Sequence, residues 1–107
     1  MRTLSAVLMC VVAVSGCGMA QSSSEALFNS KCASCHATDG KGSKTTKMHV
    51  ADLTSKAVQQ LNDARMYETI AKGTEHKEYP HAFLYQGMSR EQIEGLVAHI
   101  RTLGKKS

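Results

Sequence analysis

The chain has 107 residues, and its 13 basic and 9 acidic side chains give a formal net charge of only +4. Such a mild positive charge is not the signature of a nucleic-acid-binding protein, and we expect no nucleic acid as a partner. A chain of this length allows one small domain. Because it has no tryptophan, three tyrosines and two phenylalanines, its core needs reinforcement from a bound group or a covalent link.

Residues 1–20 have the pattern of an export signal. Arg2 supplies the positive charge, and the apolar run that follows, 4–14, is too short to span a bilayer as a mature helix. We therefore predict a signal peptide over 1–20 and a single folded domain over 21–107.

Two cleavage sites fit this signal, and the sequence leaves both open. Gly18-Met19-Ala20 resembles the site of an ordinary signal peptidase, whereas Val14-Ser15-Gly16-Cys17 resembles a bacterial lipobox, cut after residue 16. Both sites place the mature protein outside the cytoplasm, in the periplasm or otherwise exported. Attachment to a membrane is expected only if Cys17 becomes a lipidated first residue.

The first predicted helix of the domain runs from Glu25 to about Cys35, with Ser24 as its N-cap. Cys32, Cys35 and His36 at its end form the motif C-x-x-C-H, the signature of covalent haem attachment. Each thiol can form a thioether with a haem vinyl group, and the adjoining histidine can ligate the iron from the proximal side. We predict one covalent haem c held by these three residues.

Other uses of the two cysteines fit the sequence less well. A thioredoxin-like redox pair needs a βαβ context that the sequence lacks. A zinc site built on Cys32 and Cys35 lacks a second paired half. The remaining two cysteines, Cys10 and Cys17, belong to the leader or its cleavage site, so no structural disulfide framework is expected.

The middle of the chain predicts turns followed by two helices. Residues 37–52 contain Gly-rich turn chemistry, and a short helical segment is expected over 56–61. Asn62 has the position of an N-cap for a helix over 63–72 that ends at Gly73. The apolar side chains expected to be buried on this helix are Met66, Ile70 and Tyr67.

The last helix has the clearest signals. Ser89-Arg90-Glu91-Gln92 is a capping box, and Gly104 is expected to end the helix. Met88 and Ile93 have the spacing of a hydrophobic staple across its start. One face carries apolar residues at helical spacing: Ile93, Leu96, Val97, Ile100 and Leu103.

With these elements the chain resembles a small bacterial monohaem cytochrome c of class I. The resemblance implies an all-α fold with three to four helices around one haem, the first and last crossing near Phe28 and Leu96-Val97. Two positions depart from the family, which often has glycine at Ser24 or Glu25 and an aromatic residue at His99. The resemblance covers Leu27-Phe28, the C-x-x-C-H motif, Asp39-Gly40-Lys41-Gly42, Asp52-Leu53-Thr54, Tyr67-Glu68-Thr69-Ile70, Lys72-Gly73 and residues 89–103.

The sixth iron ligand is the largest departure. The family has a methionine, usually followed by proline, in the loop before the last helix, and this chain has no Met-Pro pair. Alignment on Pro80 places Tyr79 there, whereas counting back from Ser89 places His81 there. We predict His81, because imidazole is a strong iron donor and a neutral tyrosine is not. Three rivals remain: Met88, His76 and Met48.

The predicted function is single-electron transfer between redox proteins or respiratory complexes through transient docking, and not catalysis. An alternative is a five-coordinate haem that binds a gas or reduces peroxide, if the loop around His81 does not ligate the iron. A third interpretation is an electron-relay subunit of a larger oxidoreductase. The sequence does not identify the electron donor or acceptor.

Overall fold

The computed structural model describes residues 17–44, 50–74 and 81–106, with side chains from residue 23 onward. Most of the predicted signal peptide, 1–16, lies outside the described residues. Over the described ranges the chain is helical and has no strand, which confirms the predicted all-α class. Its elements are α1 (Cys17–Lys31), α2 (Ala33–His36), α3 (Lys56–Gln59), α4 (Asp63–Lys72), a 3₁₀-helix (Phe83–Gln86) and α5 (Arg90–Lys105). None of these helices combines the length and the apolar character needed to cross a bilayer.

The start of the first helix differs from the prediction. The chain is already helical at Cys17, so Ser24 lies inside α1 and is not its N-cap. A serine caps a helix only where its own backbone is extended, and its modest cost inside a helix does not stop one that has already begun. The end also differs, because α1 stops at Lys31 and Cys32 becomes the N-cap position of the separate helix α2.

α1 packs mainly against α5, and their contact forms the centre of the hydrophobic core. Phe28 from α1 and Leu96 and Ile93 from α5 are fully buried. Each such side chain stabilises the fold by about 1.5–3 kcal/mol through burial alone. The predicted crossing of the first and last helices near Phe28 and Leu96 is therefore confirmed.

α4 has the predicted bounds and both predicted ends. The Asn62 side chain accepts a hydrogen bond of 2.8 Å from the backbone N–H of Arg65. Gly73 ends the helix in the left-handed region, with φ of 73°, where a Cβ would be strained. Met66 and Ile70 are buried as predicted, whereas Tyr67 is only half-buried.

α5 begins as predicted but ends one residue later. Ser89 and Gln92 make both hydrogen bonds of the capping box, and all five apolar residues of the predicted face are buried. Gly104 does not end the helix, which continues to Lys105. A Cβ at Gly104 would lie 2.3 Å from Cδ of Gln59, so the glycine makes room for a neighbouring side chain.

His99, where the resemblance implies an aromatic residue, packs against α1. Its ring lies 4.9 Å from the ring of Phe28, centroid to centroid. The Nε2 atom is buried, and no described residue forms a hydrogen bond with it. Burial holds the pKa of His99 below its usual range, aided by Lys106 and opposed by Glu25.

We expect His99→Phe to make the stability of the protein less dependent on pH. In the unfolded chain His99 has its ordinary pKa of about 6.5, whereas in the folded protein its pKa is lower. The unfolded state therefore binds more protons as the pH falls below about 6.5, and stability is lost until the folded pKa is passed. Denaturant unfolding at pH 7 and pH 5 should show a smaller loss for the variant. An equal loss in both proteins would show that His99 does not titrate on unfolding.

Candidate cofactor site

A largely apolar cavity lies between α1, α4, α5 and the segment that follows α2. Its lining includes Phe28, Cys32, His36 and His81, so the cavity contains one predicted attachment cysteine and both predicted iron ligands. The aliphatic side chains Leu53, Val58, Leu61, Met66, Ile70 and Leu96 form much of the remaining surface. A cavity lined in this way can bind a flat, largely apolar ring system and leave the charged groups at one edge of that ring system in water.

Cys32, which lines this cavity, lies on one helical turn with Cys35. The backbone N–H groups of Cys35 and His36 both donate to the carbonyl of Cys32, at 3.2 and 2.9 Å. Both cysteines are free and half-buried. Burial raises the pKa of Cys32 to about 11, the opposite of the lowered pKa that a redox-active thiol needs. A neutral thioether at this position avoids any cost of burying a thiolate.

His36 is oriented by a hydrogen bond to the backbone. Its ring is only 7% exposed, and Nδ1 lies 3.2 Å from the carbonyl oxygen of Ala51. A carbonyl can only accept, so Nδ1 carries the proton and donates. Nε2 therefore keeps its lone pair, the tautomer that a metal ligand requires.

His81 lies opposite His36, with 6.1 Å between the ring centroids and 30° between the ring planes. A metal–imidazole bond is about 2 Å long and the ring centre lies about 1 Å beyond the nitrogen, so two imidazoles on opposite sides of one metal ion have centroids about 6 Å apart. The spacing of these two rings therefore fits one iron between them.

The loop around His81 is held by its own contacts. The Gln86 side chain donates a hydrogen bond of 2.8 Å to the carbonyl of His81. The ring of Phe83 stacks on the imidazole at 5.7 Å and 24°. Ala82 between them has a φ of 47°, an uncommon conformation for a residue with a Cβ. The backbone N–H of Met88 closes the loop with a 3.0 Å bond to the carbonyl of Phe83.

Met88 is the rival ligand that lies among the described residues, and it does not line the cavity. Met88 is half-buried and packs against the hydrophobic core, and its predicted staple with Ile93 stays a prediction. Tyr79, His76 and Met48 lie outside the described residues. The structure thus brings His36 and His81 together across the cavity and places Met88 in the core.

Sequence reasoning missed two contributors to the site. The carbonyl of Ala51 orients His36. Because every residue has a backbone carbonyl, the sequence does not indicate this contact. Phe83 lines the cavity beside His81. Its signal was present, because one of only two phenylalanines in the chain lies two residues after the candidate ligand.

Comparison with known families agrees with this geometry. The model of the Cytochrome c family matches residues 23–104, which include the C-x-x-C-H motif, the cavity walls and nearly all of α5. A search of curated proteins found no match to the chain. Because the match spans most of the chain and contains every residue that lines the cavity, this protein is a member of the cytochrome c family, whose members bind haem and transfer electrons.

Proposed function

We propose that this protein carries a single haem, attached through Cys32 and Cys35, and shuttles single electrons outside the cytoplasm. His36 would ligate the iron on the proximal side and His81 on the distal side. The bound haem supplies an iron that alternates between the ferrous and ferric states. The observation that carries the proposal is the 6.1 Å spacing of the His36 and His81 rings across the cavity.

The protein supplies a fixed pair of ligands and a dry environment. The carbonyl of Ala51 holds the His36 ring in one tautomer, and Gln86 and Phe83 hold the loop that presents His81. Ligands that do not move between oxidation states keep the cost of electron transfer low. The aliphatic walls exclude water from the site and so also tune the reduction potential.

Two histidine ligands imply a lower reduction potential than a histidine and a methionine, because a thioether favours the ferrous state. They also leave no open coordination position. This supports an electron carrier over the alternative of a five-coordinate protein that binds a gas or reduces peroxide.

The partners we propose are redox proteins or respiratory complexes that dock transiently. Electron-transfer encounters are small and weak, below about 1,200 Å² of total buried surface, because the carrier must leave after each transfer. The export signal of residues 1–20 supports a periplasmic or otherwise exported location, and lipidation of Cys17 would attach the protein to a membrane.

We expect His81→Ala to convert the ferric haem from low spin to high spin and to let the ferrous protein bind carbon monoxide. The reason is that this substitution removes the distal ligand and opens a coordination position. Met88→Leu is the matched control and should keep the wild-type spectrum and exclude carbon monoxide. Optical spectra of both oxidation states, with and without carbon monoxide, test the assignment.

Two results would contradict it. A near-infrared sulfur-to-iron band that persists in His81→Ala and disappears in Met88→Leu would identify Met88 as the ligand. Immediate carbon monoxide binding by the wild-type ferrous protein would favour the five-coordinate alternative.

A further inference from the structure

We propose that Gln59 is a positioning residue for the proximal histidine. Its side-chain amide holds the segment 51–54 in place, and that segment carries the carbonyl that orients His36. The proposal rests on the proposed role of His36 as an iron ligand. It assigns to Gln59 control over the electron donation of that ligand.

Gln59 is the last residue of α3, and its amide joins two distant parts of the chain. Nε2 donates to the carbonyl of Leu53 at 2.7 Å and to the carbonyl of Ile100 in α5 at 3.1 Å. An amide nitrogen has two protons, and both are used. The segment beside the cavity is thereby tied to α5.

The same segment reaches His36 from its other end. Ala51, whose carbonyl accepts from His36 at 3.2 Å, lies two residues before Leu53. The backbone N–H of Leu53 donates to the carbonyl of Gly40 at 2.7 Å. Leu53 is therefore held on both sides, by Gly40 through its N–H and by Gln59 through its carbonyl. Without the amide of Gln59, only the bond to Gly40 remains at this residue.

Gly104 gives independent evidence that the position of the Gln59 amide matters. A Cβ on Gly104 would lie 2.3 Å from Cδ, 2.5 Å from Oε1 and 2.7 Å from Nε2 of Gln59. Glycine inside a helix is ordinarily destabilising relative to alanine. Here the Gln59 amide occupies the space that a side chain at position 104 would fill.

The hydrogen bond from Nδ1 of His36 affects the iron through the ring. A proton shared with a carbonyl makes Nε2 a more basic donor, which favours the ferric state and lowers the reduction potential. If the segment 51–54 moves, this bond lengthens and the potential rises. Gln59 would thus act on the iron without touching the haem or its ligands.

The test compares Gln59→Met with Gln60→Met in the haem-loaded protein. Methionine keeps the length of the side chain and removes the donor, and Gln60 is an exposed neighbour at the end of the same helix. We expect Gln59→Met to raise the reduction potential and to shift the NMR signal of the His36 Nδ1–H proton in the ferrous state. Gln60→Met should leave both unchanged.

Gly104→Ala tests the same contact from the other helix and keeps the proposal falsifiable if Gln59→Met folds poorly. Alone, it should raise the potential and shift the Nδ1–H signal in the same direction. Combined with Gln59→Ala, whose short side chain leaves the place of the amide empty, Gly104→Ala should add no further shift to that of Gln59→Ala alone.

Gln59→Met and Gly104→Ala proteins that match the Gln60→Met control in both measurements would overturn the proposal. Additive shifts in the double variant would also overturn it, since the two changes would then act separately. If the wild-type chain carries no covalent haem, the proposed function itself fails. Mass measurement of the wild-type protein separates this outcome from the others.

Discussion

Replacing both attachment residues, Cys32→Ser with Cys35→Ser, is expected to give a chain without covalent haem and with little stable structure. The cavity that Cys32 lines is enclosed by aliphatic side chains, and an unfilled apolar cavity forfeits the packing contacts of its walls. The hydrophobic core of a domain this small cannot compensate for the loss of these contacts. The proposed covalent haem would therefore contribute both the chemistry and much of the stability.

Acidified-acetone extraction followed by mass measurement checks this prediction directly. Haem should remain with the wild-type protein and leave the double variant, and circular dichroism should show loss of helix only in the variant. Ser34→Ala, an exposed position between the two cysteines, is the matched control and should retain haem. A wild-type protein that releases haem to the solvent would refute covalent attachment.

Phe28→Ala is expected to destabilise the protein by about 3–5 kcal/mol, the usual cost of removing a fully buried phenylalanine. Phe28 is fully buried, contacts the His99 ring at 4.9 Å between centroids and forms part of the cavity wall. Its removal therefore opens a void that connects the α1–α5 contact with the cofactor site. The free energy of unfolding of a small domain is about 5–15 kcal/mol. This single change would therefore remove a large fraction of that free energy.

Denaturant unfolding of the haem-loaded protein measures the effect. Tyr85→Ala is a suitable control, because Tyr85 is 74% exposed and surface substitutions usually change stability by less than about 0.5 kcal/mol. A Phe28→Ala midpoint equal to that of the control would exclude Phe28 from the core of the protein.

Local signals in the sequence predicted the elements whose stability is also local. The bounds of α4 and the start of α5 were correct, because Asn62, Gly73 and Ser89 end or begin a helix through contacts within four residues. The C-x-x-C-H motif is likewise local, since Cys32, Cys35 and His36 lie on one helical turn.

Predictions of helix ends failed where the residue type is compatible with two conformations. Ser24 has the residue type of an N-cap, yet α1 passes through it. Gly104 has the residue type of a helix stop, yet α5 continues to Lys105, and the glycine leaves room for the Gln59 side chain. The residue type alone therefore did not locate either helix end.

The sequence by itself determined the all-α class, the attachment motif and the apolar faces of α4 and α5, because each follows from spacing along the chain. Only the tertiary structure decided which side chain faces His36, since His81 and Met88 both lie in the loop before α5. It also revealed the path from Gln59 through Leu53 to Ala51 and His36. The acceptors in these hydrogen bonds are backbone carbonyls. Every residue has one, so the residue type does not show which carbonyl will accept a bond in the folded protein.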